Sequence, residues 1–343
     1  MCAALVGLII LEGVARVAAP AYNPSGRVAF TLLPDRTPIG PPGAVRRLVK
    51  NTGDYDVPVG FNSLGFRDSK SIQVSGADSI FVVGDSFAFG WGVGEPQRFS
   101  NVLEDRLGRL VFNISSGAAD FDGYDHLVHY AEANGAHIGT LIVAVCMEND
   151  LREYGPDEPA QGSLGPVAAA RAFLTEHSAI YTLATVVVHR TPWLERAAVR
   201  TGLLIPSLAA IAESDASEDA VKSSAERLRR LVTGRRAFIL IVPSRALWAG
   251  SDAHRRQVAR THRAFVGLLR QAGLQVVDVR PMFEQQANPL SLHFANDGRW
   301  TAAGHQIAAA ALAQRLQGPT RPITSAPAAV PGSVSTSDRL PVR

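Results

Sequence analysis

Apolar residues cluster in five short runs along this chain, each six to eight residues long. They read SIFVVG (79–84), RLVFNI (109–114), GTLIVAVC (139–146), AFILIVP (237–243) and LQVVDV (274–279). All are short for helices and rich in β-branched and aromatic residues, and their apolar positions are consecutive rather than alternating. That pattern predicts strands buried on both faces, as in a parallel sheet with helices on either side. Segments with apolar residues at helical spacing lie between them, at 95–108, 124–135 and 252–273, with a last one at 300–317. Two of these, 124–135 and 252–273, stop at a glycine, a common helix terminator. Strand–helix alternation over 78–317 predicts an α/β domain built on a five-stranded parallel sheet.

Four stretches fall outside this rhythm. Residues 20–77 are rich in Pro, Gly and polar residues, carry the string NSLGFRD (62–68), and are expected to form an irregular leader. Residues 150–236, between the third and fourth runs, are far longer than an ordinary crossover. Their pieces GPVAAARAFLTEHSAIYTLATVVVHR and TGLLIPSLAAIAES predict a helical insertion that forms a cap or lid. Residues 318–343, rich in Pro, Ser and Thr, are expected to be a disordered tail. At the other end residues 2–11 are apolar, but Glu12 and Arg16 interrupt the run before the roughly 20 residues a bilayer span needs. Residues 1–19 therefore read in one of two ways. Either they are a truncated signal anchor, with the domain at the cell membrane and outside the cytoplasm, or they are an amphipathic helix of a soluble protein.

Composition narrows the function classes. The chain has 343 residues, 46% hydrophobic and 19% charged, which is globular rather than disordered. A net charge of +3 and a pI near 9.1, with no basic cluster interleaved with aromatics, give no reason to expect a nucleic-acid partner. Cys2 and Cys146 form no disulfide pattern, and Cys146 ends an apolar run as a buried small hydrophobe. His126 and His129 lie three apart on a predicted helix, but no carboxylate or Cys pattern completes a metal site, so no metal is expected. The turn after the first strand has neither GxGxxG nor GxxxxGK[ST] spacing, so no nucleotide cofactor is expected either.

The chemistry gathers at strand ends. Gly84-Asp85-Ser86 follows the first run and precedes a helical segment, which puts Ser86 at the carboxyl edge of the sheet, where ligands bind. Ser86 is then either a nucleophile or a helix cap. The second run leads through Asn113 into Gly117 and Ala118, a small-residue turn whose backbone N–H groups can point at the same edge. The third leads into Met147, Glu148, Asn149 and Asp150, where an Asn amide can donate to an oxyanion and Asp150 can cap the next helix. A nucleophile with separate oxyanion donors is what acyl transfer requires.

At this point the strings GDSFAFGWGV, NISSG, MENDL and DGRWTAAGH resemble the consensus blocks of the SGNH, or GDSL-type, esterases and acyltransferases, over residues 60–316. NSLGFRD and LIILEGVAR also resemble the leader of membrane-anchored bacterial members. The resemblance implies a flavodoxin-like three-layer α/β/α sandwich. It also implies an ester-bond hydrolase or acyltransferase acting on an acylated small molecule or on O-acyl groups of an envelope glycan or lipid. Carried over, Ser86 matches the nucleophile and Gly117, or Ala118 in the adjacent register, the backbone oxyanion donor. Asn149 matches the side-chain donor and Asp297 the acid that orients the base.

Two departures stand out. Met147 replaces the usual glycine of the third block, and Arg299 occupies the place of the general-base histidine in Asp297-Gly298-Arg299-Trp300. Arginine stays protonated and accepts no proton, and losing a triad histidine can cost on the order of 10⁶ in kcat. Three outcomes are open: His293 serves as base, His305 does, or no base exists and the domain is a silent homologue that binds an acylated or anionic ligand.

Overall fold

The computed structural model describes residues 2–154, 166–201 and 216–317. The tail expected at 318–343 and residues 155–165 and 202–215 of the expected lid lie outside the described residues.

The described strands are β1 (Thr31–Leu32), β2 (Pro38–Ile39), β3 (Val45–Val49), β4 (Asp56–Gly60), β5 (Ile80–Gly84), β6 (Val111–Asn113), β7 (Thr140–Cys146), β8 (Ala237–Val242) and β9 (Gln275–Asp278). The helices are α1 (Cys2–Ala18), α2 (Ser86–Phe89), α3 (Phe99–Leu107), α4 (Phe121–Ala133), α5 (Pro166–His177), α6 (Ala179–Arg190), α7 (Pro192–Arg200), α8 (Glu218–Val232), α9 (Asp252–Gln271), α10 (Arg280–Glu284) and α11 (Ala302–Gln317). The last five strands form one parallel sheet in the order β6-β5-β7-β8-β9. Its helices cover both faces, so the domain is the three-layer α/β/α sandwich with a five-stranded parallel sheet.

The consecutive apolar residues of each run divide between the two faces, as the two-residue period of a strand requires. Phe81, Val83, Leu141, Val143, Val145, Ile239 and Ile241 join one core with Tyr124, Leu127, Leu228, Phe265 and Leu269 of α4, α8 and α9. Ile80, Val82, Ile142, Ala144, Phe238, Leu240 and Val242 join the other with Phe99, Leu103, Trp300 and Leu312, beneath α3 and α11. Glycine is required at the end of β5. A Cβ on Gly84 would stand 2.7 Å from Ala88 Cβ and 2.9 Å from the Ala144 carbonyl, so only glycine lets α2 turn back tightly over β7.

The leader is more ordered than its composition predicts. β1 pairs with β2 and β3 with β4, both antiparallel. Leu48, Tyr55, Val59 and Phe61 of the second hairpin pack with Phe89 of α2 in a small third core. Turn residues such as Gly53 and prolines such as Pro58 mask the pattern in sequence. The long stretch 150–236 contains two kinds of element. α8 packs against α4 and α9 as a sandwich helix. α5, α6 and α7 stand apart from the sheet, and the expected single helical piece 165–190 breaks at Ser178, whose Oγ caps α6 by accepting from Tyr181 N. α6 carries α1 on its surface.

Candidate active site

Asp85 is the N-cap of α2, its Oδ1 accepting from Phe87 N at 2.9 Å, and Ser86 is the first helical residue. The serine is therefore not consumed by capping. It is buried, and among the described residues its Oγ has no hydrogen-bond partner.

The loop after Ser86 is held by the leader. Arg67, from the NSLGFRD string, donates Nη1 to the carbonyls of Phe89 and Gly90 at 2.9 and 2.5 Å and Nη2 to that of Val93 at 2.6 Å. Asp68 accepts from Asn113 N at 2.7 Å, fixing the end of β6 to the same segment. Beyond β6, Ser116 N donates to the Gly84 carbonyl at 3.2 Å, which sets the second block alongside the nucleophile turn.

Asn149 follows β7, and its Nδ2 donates to Asp85 Oδ2 at 3.1 Å. An amide carries two hydrogens on Nδ2, so this bond orients Asn149 and leaves one donor unspent. Burial raises the carboxyl of Asp85 above its ordinary range, against the hydrogen bonds from Phe87 N and Asn149 that lower it. The neighbouring Asp150, which accepts from Tyr124 Oη and Cys146 N, is also raised, first by burial and then by the charge of Asp85. Asp150 thus acts as the anchor of the third-block turn.

Asp297 sits in the tight loop 293–301, closed by the Phe294 N to Arg299 O and Thr301 N to Leu292 O bonds. Its Oδ2 accepts from Lys50 Nζ at 2.9 Å and Tyr55 Oη at 3.0 Å, both at the tip of the β3–β4 hairpin. Its Oδ1 accepts from Arg299 N and Nη1 at 3.1 and 3.0 Å. Burial works to raise this carboxyl, but the charges of Arg299 and Lys50 outweigh it and bring the pKa down to about 2. Arg299 also lies over the Trp91 ring at 5.0 Å, and Trp91 Nε1 donates to Tyr55 Oη at 2.9 Å. Where a triad aspartate would accept from an imidazole, this one is fully occupied by cations and a phenol.

A cavity of about 610 Å³ brings Ser86, Asn149, Asp297 and Arg299 together. Lys50 and Arg27 of the leader, Arg245 after β8, and His189 and Glu195 of α6 and α7 complete the parts of its wall that bear on the chemistry. Gly117 and His293 are not in this wall. A Cβ at Gly117 would strike the Trp91 ring at 2.8 Å and Phe30 at 2.9 Å, so the glycine is there for close packing on Trp91. The His293 ring lies about 6 Å from the ring centres of Trp248 and Phe283, with both nitrogens buried and unpartnered. Burial, then the charge of Arg245, pushes its pKa down to about 3. His305 accepts from Phe99 N through Nδ1 at 3.3 Å and stacks on the Phe99 ring; burial holds it near 3 as well. It is a packing residue.

Lys50, Tyr55, Trp91 and Arg245 carry no local sequence signal, because what they contact lies in distant segments; His189 sits in the insertion, outside every motif block. Among the histidines of the described residues, His189 is the one that lines the cavity, with Nδ1 3.7 Å from Glu195 Oε1. No group of three or more metal-ligating side chains occurs among the described residues.

None of the curated proteins matches this chain in sequence. Among solved structures, it is similar to an acetylxylan esterase from Geobacillus stearothermophilus, at 11% identity, 72% of this chain, 97% of that one and a TM-score of 0.39. It is similar also to the lipase/acylhydrolase from Enterococcus faecalis, at 10% identity, 69% of this chain, 94% of that one and a TM-score of 0.40. A family model described as an SGNH hydrolase-like domain, acetyltransferase AlgX, matches residues 200–336, a span that holds Asp297 and Arg299 but not Ser86 or Asn149. The five-stranded parallel sandwich is consistent with the SGNH hydrolase fold, and the C-terminal two fifths of the chain is similar in sequence to that hydrolase-like domain.

Proposed function

We propose that this chain receives an acyl ester in the cavity beside Ser86 and acts on it as an SGNH-type esterase or acyltransferase. The observation that carries the reading is the meeting of Ser86, Asn149 and Asp297, from three distant segments, in one cavity. Ser86 Oγ attacks the ester carbonyl carbon. The oxyanion takes the free Nδ2 hydrogen of Asn149 and the backbone N–H of Ser86. The hydroxyl proton goes to His189, the histidine of the described residues that lines the cavity; its Nδ1 lies 3.7 Å from Glu195 Oε1, within ion-pair reach but without a hydrogen bond. The C–O bond breaks, the alcohol leaves with that proton, and water or a second hydroxyl takes the acyl group from Ser86. The hydrogen bond from Ser86 to His189 as base tightens with substrate bound, as catalytic hydrogen bonds commonly do. The substrates proposed are O-acyl groups of an envelope glycan or lipid.

A second reading has its own observation. Asp297 is saturated by four donors and Arg299 stands in the base position, as in a receptor that holds an acylated ligand without cleaving it. A fluorophosphonate probe separates the two. The expected result is labelling of Ser86 between pH 6 and 9, absent in Ser86→Ala and slowed at least about 10²-fold in His189→Gln, the usual worth of a general base. No labelling of the parent, alongside a labelled control esterase, rejects catalysis; a gain of labelling in Arg299→His would then identify a degenerate site.

On location, no helix among the described residues is long and apolar enough to cross a membrane. We propose that α1 rests its apolar side, with Leu8, Ile9, Ile10 and Leu11 more than half exposed, on a membrane surface.

A further inference from the structure

Lys50 and Arg299 are paired with Asp297. Arg27 is half-buried and donates Nη2 to the neutral amide of Asn51, its Nε left without a partner. Arg245 is the more deeply buried, and its guanidinium has no hydrogen bond or ion pair among the described residues. It is 6% exposed, its Nε is buried without a hydrogen-bond partner, and no carboxylate of the described residues lies within ion-pair distance of its guanidinium. Its backbone N–H and the preceding Ser244 Oγ both donate to Glu148 Oε1, which fixes the chain but leaves the guanidinium unanswered. That group lies against Gly298: a Cβ there would be 3.3 Å from Nη2 and 3.4 Å from Cζ and Nε. The glycine between Asp297 and Arg299 is thus the space in which the guanidinium is held at the cavity wall.

A buried charge without a counter-charge is costly, and it survives where something else supplies the anion. Among the described residues, the wall holds four basic side chains, Arg27, Lys50, Arg245 and Arg299, against the three acids Glu148, Glu195 and Asp297, an excess of one positive charge. A guanidinium presents paired N–H donors that match two oxygens of a carboxylate or phosphate. We infer that Arg245 is an anion-binding residue of this cavity, and that the ligand beside Ser86 carries a carboxylate or phosphate oxyanion in addition to its acyl ester. Arg245 acts in binding and specificity, and no proton moves through it. The inference rests on the proposed ester site only for what the anion is attached to; the anion site itself stands on Arg245 and Gly298.

The test is an anion titration of the full chain at constant ionic strength, read by melting temperature and calorimetry. The probes are acetate, inorganic phosphate and, as a neutral match, acetamide. A ligand that binds only the folded state raises the melting temperature with its concentration. The expected result is a rise with acetate or phosphate and none with acetamide. Affinity should fall at least tenfold in Arg245→Gln and be lowered in Gly298→Ala, whose methyl displaces the guanidinium without removing it. The stronger of the two anions identifies a carboxylate or a phosphate ligand. Without ligand, Arg245→Gln should melt no lower than the parent, because an unpaired buried charge has been removed. Equal binding by parent and Arg245→Gln, an equal response to acetamide, or no response to either anion overturns the inference. Ser86 labelling, run on the same samples, reports on the ester reading independently of all three.

Discussion

Asp297 shows how a motif residue can keep its place while its chemistry changes. In the sequence it is the acid of a block that should end in histidine; in the structure it is a fixed anion among Lys50, Tyr55 and Arg299. Its pKa is lowered to about 2 from an ordinary 3.8, so the ionised form is favoured by folding. The stabilisation is complete above the unfolded value and is lost as pH falls through 3.8 towards 2. For this buried group it amounts to about 2 kcal/mol. Asp297→Asn should therefore lower stability at pH 7 by roughly 3 kcal/mol, since it also strands two cations. The gap to the parent in urea midpoints should narrow by pH 3. A gap independent of pH would show that the carboxylate charge is not what Asp297 contributes. Residues of this kind divide cleanly by legibility. Ser86 and Asn149 follow recognisable strand ends in sequence, whereas Lys50 and Tyr55 reach Asp297 across 247 and 242 positions and have no local pattern to betray them. His293 shows the converse: near Asp297 in sequence, it turns into the aromatic packing under Trp248 and Phe283 rather than into the cavity.

At the scale of elements, the five strands were readable because burial on both faces leaves little choice but continuous apolar runs, and β5 to β9 fall within two residues of them at each end. α9 and α11 were equally clear from their periodicity. α4 begins three residues earlier than its apolar pattern, because Asp120 caps it through Gly123 N. The order within the leader leaves little trace in its sequence, because much of it comes from side chain to backbone bonds rather than from apolar repetition. Arg67 is the clearest case, a buried guanidinium supplying donors to three carbonyls of the loop that follows Ser86. Arg67→Met keeps volume and removes those donors; the Gly90 carbonyl keeps Val93 N, but those of Phe89 and Val93 lose their donor, at a cost of about 2 kcal/mol or more. Arg67→Lys, with one point charge in place of a fork, should fall between Met and the parent. Guanidinium denaturation of the three proteins measures the order. If Arg67→Met is as stable as the parent, the leader is not a support of the nucleophile loop.

At the scale of the whole molecule, the N-terminal helix acquires a different meaning from the one its sequence suggests. Glu12 and Arg16 read as polar breaks that disqualify an apolar run. In the structure both turn toward α6: Glu12 accepts from Ala179 N at 2.8 Å, Ile180 N at 3.1 Å and Ser178 Oγ at 3.1 Å. Arg16 donates to Glu12 and to the His177 carbonyl at 2.6 Å. The charges thus dock α1 onto the α5–α6 junction, with Ala15 buried beside them. What remains outside is apolar: Val6, Leu8, Ile9, Ile10, Leu11, Val14 and Val17 are each more than half exposed. Such a surface is larger than scattered single hydrophobes explain and has the character of a membrane-facing helix. Burying three or four of these side chains in lipid contributes on the order of 5 kcal/mol, enough for reversible attachment without a span. The full chain is therefore expected to float with phosphatidylcholine vesicles, and Ile10→Glu with Val14→Glu should leave it in the aqueous fraction while Ser86 labelling is unchanged. Should the double variant float as the parent does, or the parent not float at all, the apolar face of α1 has some partner other than lipid.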